Sequence, residues 1–587
     1  MLFGKHVNRY YLKYSYIYFI GLIALVLVDY FQLKIPELYK TVVNGMNGDI
    51  GSEFDLDFLL DKICMPLIVI IVSLIIGRFV WRMCFFGTAI QIEADIRQRM
   101  FDKCETLSQQ FYHVNKVGNL MSLFTNDLET VQECFSMGVL MMCDALFLGG
   151  LALIKMFRLN SVLTLFSLVP MIFLFLIGLF IGSDMKRKWR KRLSSFADMS
   201  DFVQENFSGI SVIKAFVKEH REIQEFGVYN QKIENANVSF TKAVSKLNVF
   251  VTLFVESVIC VILAYGGYLA HGGSFNAGEL VEFIGYFNAI VWPINAVSSL
   301  IELRSRGKAS LIRIGELLDA TPDVVDADDV EDCGELKGDI EFRNLTFRYP
   351  DGATDALRNV SFKIKAGESV GIIGKTGCGK TTVVDLILRT YNVPDGTLFL
   401  DGTDVNRIPI QTTRKYISYV PQDNFLFSDT IEHNITFSTD KRAMDVIHAA
   451  KLADVHGNIA EFRHGYNTVL GERGVTVSGG QKQRISIARS LIKDAPILIL
   501  DDAVSAVDVS TEKTILKNLH ETRKGKTTIL IAHRVSTIEN LDKIIYIDDG
   551  EIAAVGTHAQ LCETSASYRH MVELQEMKRE SEGIINA

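Results

Sequence analysis

Six apolar runs, near residues 16–35, 63–87, 137–157, 161–182, 247–270 and 279–303, constrain this chain more than any other feature. Each is about twenty residues long, the length a helix needs to cross roughly 30 Å of hydrocarbon. No such run follows Asp319. A chain of 587 residues exceeds what one hydrophobic core serves, so the change at Asp319 reads as a boundary between a membrane part and a separate globular part.

Charge sets the orientation. The segment from Lys34 to Lys62 reads as a long acidic loop (Glu37, Asp49, Glu53, Asp55, Asp57, Asp61), whereas Lys186–Arg192 is almost wholly basic. The basic side of a membrane protein faces the cytoplasm, so both termini are expected there. Lys5, Arg9 and Lys13 precede the first apolar run, which is too long for a signal segment and reads as a retained membrane helix. The connections after the second and fourth runs carry apolar residues at helical spacing (Ile92, Ile96, Met100; Phe202, Phe207, Ile210, Ile213, Phe216), which predicts membrane helices that continue into the cytoplasm.

The residues divide into a helical membrane domain over 1–318, an acidic linker over 319–336 (Asp323, Asp326, Asp328, Asp329, Glu331, Asp332) and a globular domain over 337–587. In the last, short β-branched and aromatic strands alternate with helices, which predicts an α/β fold. A net charge of -8 gives no support to nucleic-acid binding. The nine cysteines (among them Cys333, Cys378 and Cys562) lack the spacing of a zinc site or a disulfide framework.

The globular part carries the chemistry. Gly374, Lys375, Thr376, Gly377, Cys378, Gly379, Lys380 and Thr381 form a complete GxxxxGK[ST] loop, followed by Thr382, between an apolar strand and a helix. Its glycines let backbone N–H groups approach phosphates, Lys380 supplies charge near the outer phosphates and the Thr381 hydroxyl can ligand Mg²⁺. Downstream, the apolar strand Ile497–Leu500 ends in Asp501 and Asp502, the form of a strand that holds the magnesium of a nucleotide.

Ser478, Gly479, Gly480 and Gln481, ahead of that strand, resemble the signature motif of the ABC (ATP-binding cassette) family. The resemblance implies further roles in family order: Tyr349 stacking on adenine, Gln422 as the glutamine-loop ligand of the metal, Ser505 and Asp508 in the D-loop, and His533 as the switch histidine. It covers nearly the whole chain and is closest to exporters, with ATP and Mg²⁺ as cofactors. The implied fold is a six-helix transmembrane domain extended into the cytoplasm, followed by an α/β P-loop ATPase domain with a helical subdomain. Asn115–Asn119 and the turn at Ser208, Gly209 and Ile210 match the family's coupling helices.

One position departs from the pattern. Where the family usually has a glutamate that orients the attacking water, this chain has Asp502. In the family two cassettes pair head to tail, so the implied arrangement is a heterodimer with a second half-transporter. This chain's own ATP site is then weak, and its intact signature completes the partner's site. The expected activity is export of an amphipathic small molecule, drug-like or lipid, from a bacterial inner membrane. Alternatives left open are a homodimeric lipid or peptide exporter and a regulatory or gating protein; a peptide exporter's N-terminal peptidase has no room before the first run. Asp29, Asp144 and Glu256 inside apolar runs read as helix contacts before they read as sites for a cationic substrate. The aromatics Phe135, Phe147, Phe173, Phe175, Phe180, Phe254, Phe283, Phe287 and Trp292 fit an adaptable pocket or a lipid-facing surface equally well.

Overall fold

The structure is a computed structural model and describes residues 4–48, 54–328, 330, 334–437, 442–471, 474 and 477–585. Asp49, Glu53, Asp329, Glu331, Asp332 and Cys333 lie outside the described residues, as do the side chains of Phe175 and Phe180. The chain forms two compact units. One comprises residues 1–105 with 117–319, and the other 106–116 with 320–587.

The membrane unit is built from α1 (Ser15–Gln32), α2 (Lys34–Met46), α3 (Met65–Thr106), α5 (Met137–Leu159), α6 (Ser161–Ser208), α7 (Ile210–Ala215), α8 (Glu219–His271) and α9 (Ala277–Asp319), while α4 (Gln109–Val114) groups with the second unit. Among the described residues, five helical stretches are long and apolar enough to span a bilayer: 15–46, 56–106, 117–159, 219–271 and 277–319. The fourth expected span lies within α6, where Ser161–Pro170 is apolar. Helices α6 and α8, of 48 and 53 residues, run well past the apolar runs that begin and end them, as the helical spacing predicts.

The first outer connection differs from its expected form. It is a loop only beyond Met46, because α2 continues the first span. Of its described acids Glu37 is the ion-paired one, to Lys34 at 2.6 Å and to Lys155, while Lys40 bridges Glu279 at 3.3 Å and Glu282 at 3.1 Å on α9. Asp55 caps the helix that resumes at Leu56, which holds Asp57 and Asp61. Close approach of α2 to α9 depends on small residues. A Cβ at Gly285 would stand 2.7 Å from the ring of Pro36, and one at Gly278 would meet the side chain of Asn44.

Two of the membrane acids are buried among helices, and one of them, Asp144, bonds across to another helix. Asp29 on α1 and Asp144 on α5 are 3 % and 8 % exposed, and the Trp292 indole of α9 donates to Asp144 at 2.8 Å. Glu256 is exposed on α8. Of the aromatics expected around a pocket, Phe135, Phe283 and Phe287 are fully buried and fill cores instead.

The second unit contains two sheets. One is antiparallel, β2 (Leu357–Ile364) beside β1 (Ile340–Phe347), β4 (Leu398–Leu400) and β5 (Thr403–Asp404). The other has the order β10-β9-β3-β8-β7-β6, from β3 (Ser369–Gly374), β6 (Ile417–Val420), β7 (Ile497–Asp501), β8 (Thr527–Ile531), β9 (Lys543–Asp548) and β10 (Glu551–Gly556). All its pairings are parallel except β9 with β10. Strands β7 and β8 are buried at every residue, which suits the apolar runs Ile497–Leu500 and Ile529–Ile531 within them. In parallel sheets of this kind ligands bind beyond the carboxyl ends of the strands, and the loops after β3, β6, β7 and β8 all open at that edge.

Gly285→Val should push the Pro36 contact apart and destabilise the membrane unit by about 1–3 kcal/mol. Thermal unfolding of the purified chain in detergent measures it, with Gly87→Ala, where a Cβ meets nothing within 4 Å, as the neutral control.

Candidate nucleotide site

The phosphate loop follows β3 and opens α10 (Lys380–Ile387). Two glycines are obligatory here. A Cβ at Gly374 would lie 2.1 Å from the Ile547 carbonyl, and Gly379 caps the helix at φ +97° with Ala356 and Leu357 in the way of any side chain. The free N–H groups of α10's first turn therefore point out of the loop, where they favour an anion.

Lys380 is 6 % exposed and its ammonium donates to the carbonyls of Gly374 (2.9 Å) and Lys375 (2.8 Å), with no carboxylate bridge among the described residues. An ammonium held by two neutral carbonyls, with the Cys378 sulfur at 3.9 Å, is available to phosphate oxygens. Cys378 is turned inward and 5 % exposed, and burial pushes its thiol up, so it packs beneath the loop rather than facing a nucleotide.

Asp501 ends β7 and is 1 % exposed. Thr381 hydrogen-bonds its carboxylate, and Lys380 and His533 are near enough to act on it electrostatically. Its Oδ2 has no hydrogen-bond partner among the described residues. Burial first, and then the neighbouring Asp502, push Asp501 above the usual carboxylate range. A buried carboxylate oxygen with nothing to bond, beside a threonine hydroxyl and a phosphate loop, fits a divalent cation that would supply the missing charge.

Asp502 sits at φ +49°, and its backbone is fixed on both sides. Its N–H donates to Ile531 (3.0 Å), and its carbonyl accepts from the Gln483 side chain (3.1 Å) and the Ser505 hydroxyl (2.9 Å). Gln483 also accepts from the Ala506 N–H at 3.0 Å, and so ties the helix after the signature to the strand that carries the acids. Nothing but its place after the signature marks Gln483 in the sequence.

Ser478 and Gln481 form a capping box on the helix α13 (Gly479–Ile492), numbered after α11 (Ile431–Thr436) and α12 (Ala443–Leu452), with bonds of 3.3 and 3.0 Å. The signature thus places a capped helix N-terminus, the positive end of the helix dipole, at the surface. Asp508 caps the next helix, α14 (Val509–Thr522), accepting from the Ser510 hydroxyl and from the Thr511 N–H at 2.9 Å, and these bonds hold it well below the carboxylate range. Gln422 and His533 are exposed at the same sheet edge, and the side chain of Gln422 makes no hydrogen bond to Thr381 or Asp501.

Tyr349 is anchored as well as aromatic. Its hydroxyl meets Thr382 Oγ1 at 2.9 Å and Asp385 Oδ2 at 3.4 Å, and its ring stands edge-on to Tyr391. Asp385 carries no motif signal of its own, because it lies one turn beyond the phosphate loop in the helix that the loop opens. Burial, with Asp501 nearby, pushes it up to about 6.

Comparison with known proteins now bears on this geometry. Residues 18–294 match the ABC transporter transmembrane region and residues 357–505 match the ABC transporter family. The chain belongs to the ABC transporters. It is 34 % identical to the Bacillus subtilis (strain 168) "Probable multidrug resistance ABC transporter ATP-binding/permease protein YheI", over 99 % of this chain and 98 % of that one. It is also 34 % identical to the "ATP-dependent lipid A-core flippase" of Syntrophus aciditrophicus (strain SB), over 87 % and 85 %. Among solved structures, a bacterial Atm1-family ABC exporter with ATP bound superposes with a TM-score of 0.76 at 25 % identity, covering 97 % of this chain and 98 % of that one. This ABC transporter is thus an integral, multi-pass inner-membrane protein with a cytoplasmic ATPase domain that couples ATP to transport.

Asp385 gives the ABC domain a pH signature. The folded chain binds this proton more tightly than the unfolded chain, so stability contributed here is present at low pH and lost as pH rises from about 4 to about 6. Asp385→Asn should remove that slope and stabilise the domain above pH 6 by about 1 kcal/mol after allowance for screening. Melting of the full chain across this range, followed in parallel for both proteins, tests it.

Proposed function

We propose that this chain is one half of a heterodimeric exporter with six membrane spans, moving an amphipathic small molecule, drug-like or lipid, by alternating access. The observation that carries the reading is the pair Asp501 and Asp502, fixed at the end of β7 beside the phosphate loop. Lys380, the loop N–H groups and Thr382 hold ATP, and Tyr349 flanks the adenine. Thr381, Asp501 and Gln422 hold Mg²⁺, which supplies charge neutralisation for phosphoryl transfer. Asp502 and His533 stand where the attacking water must be oriented.

Asp502 is shorter than glutamate by one methylene, roughly 1.5 Å. Misplacement on that scale costs on the order of a hundredfold in rate, while ATP binding is untouched. This site therefore holds ATP and clamps the dimer, and the signature Ser478–Gln481, with Ser505 and Asp508 nearby, completes the partner's faster site. Exposed apolar side chains on the cytoplasmic halves of α6 and α8 (Phe207 at 73 %, Ile223 at 67 %) and after α7 (Phe216 at 70 %) suit burial by a second chain. The two coupling segments are Asn115–Asn119, which begins at the end of α4 and enters the next helix at Val117, and α7, set off by the break at Gly209. The substrate class rests on the names of the relatives, a multidrug resistance protein and a lipid A-core flippase.

Steady-state ATP turnover of the purified chain tests the asymmetry. Alone it should be slow, Asp502→Glu should raise it at least roughly tenfold, and a partner half-transporter with glutamate at the matching position should restore it without any substitution. Brisk turnover by the unaltered chain alone would make Asp502 a competent base and the protein a homodimer.

A further inference from the structure

The base of the α6/α8 hairpin concentrates positive charge where both helices leave the apolar run. Six of the seven residues Lys186–Arg192 are basic, and Lys242 and Lys246 follow Phe240 on the facing helix. The two helices meet at this level, with the Trp189 and Phe240 rings 5.2 Å apart. The cations are used unequally. Asp184 takes Arg187 at 2.8 Å and Lys188 at 2.7 Å, and Arg192 lies over both rings at 5.0 and 5.5 Å. Lys186, Arg190, Lys191, Lys242 and Lys246 are exposed and have no ion-pair partner among the described residues.

Topology alone asks only that some positive charge stay on the cytoplasmic side. It does not ask for five unpaired cations gathered on two helices around an indole that is 46 % exposed. Tryptophan favours the headgroup layer, where its ring is half in hydrocarbon and its N–H is wet. Basic side chains at that depth face the anionic lipids of the cytoplasmic leaflet. We infer that the base of the α6/α8 hairpin is a binding surface for the headgroups of anionic phospholipids, gripped by Lys186, Arg190 and Lys191 on α6 with Lys242 and Lys246 on α8. The hairpin carries α7 at its far end, so lipid bound at its base holds the lever that α7 terminates, and ATP turnover responds to anionic lipid. The inference needs only the membrane topology and stands whether the transporter is a heterodimer or a homodimer.

Trp189 is a built-in reporter, since the chain has three tryptophans. In a Trp81→Phe, Trp292→Phe background, brominated phosphatidylglycerol should quench Trp189 at least about threefold more strongly than brominated phosphatidylcholine at equal mole fraction. Lys186→Gln, Arg190→Gln and Lys191→Gln together should abolish the difference. Equal quenching by the two lipids, or a preference that survives the triple variant, would overturn the proposal. Should the double-phenylalanine background fail to fold, the otherwise unaltered chain decides. Its turnover in nanodiscs should rise when about a third of the phosphatidylcholine is replaced by phosphatidylglycerol, and the triple variant should lose that rise while keeping its rate in phosphatidylcholine alone. A rise of equal size in both, or none in either, counts against the site.

Discussion

One unsatisfied charge organises the ATPase domain. Asp501 is buried at the end of β7 with one carboxylate oxygen unbonded, and Thr381, Lys380, Asp502 and His533 are gathered around it. Burying such a group is costly unless a cation or a donor arrives. In the proposed reading Mg²⁺ with ATP answers that cost, and the sheet brings the candidate residues to one edge: the loop by β3, the acids by β7 and the histidine by β8. The fit of nucleotide to domain is therefore a property of the strand ends. The signature helix is tied to the same point through Gln483, which bonds the Asp502 carbonyl and the Ala506 N–H.

The membrane unit is governed by a different rule. Apolar contact gives helices little reason to associate in lipid, so small residues and polar contacts carry the specificity. Gly285 against Pro36 and the ion pairs among Glu37, Lys40, Lys155, Glu279 and Glu282 hold α2 to α5 and α9. In contrast α6 and α8 pack along each other through aromatic pairs such as Phe202 with Tyr229, and leave large apolar side chains exposed beyond the membrane. That difference in self-sufficiency is why the hairpin, and not the α2/α5/α9 bundle, is the part suited to a second chain.

Much of this was legible in the sequence because it follows from short-range rules. A twenty-residue apolar run forms a span, and GxxxxGK[ST] between a strand and a helix makes an anion cradle, whatever surrounds them. What stayed hidden depends on contacts between distant positions. Glu37 of α2 reads as a loop residue because its partners Lys155 and Tyr286 lie more than a hundred residues away. Asp385 and Gln483 looked like ordinary helix residues until Tyr349 and Ala506 were seen beside them. Asp29 and Asp144 could be weighed as pocket or packing residues, and only the helix arrangement decides for packing.

Manganese can stand in for magnesium and reports its own ligands. Electron paramagnetic resonance of Mn²⁺ titrated into the purified chain with ATP should show saturable, nucleotide-dependent binding that Asp501→Asn and Thr381→Ala each weaken by at least about tenfold, the loss expected when a charged or directly coordinating ligand is removed. Mn²⁺ bound equally well to the Asp501→Asn chain would contradict the account at its centre, because the buried carboxylate would then have no role in holding the nucleotide's cation.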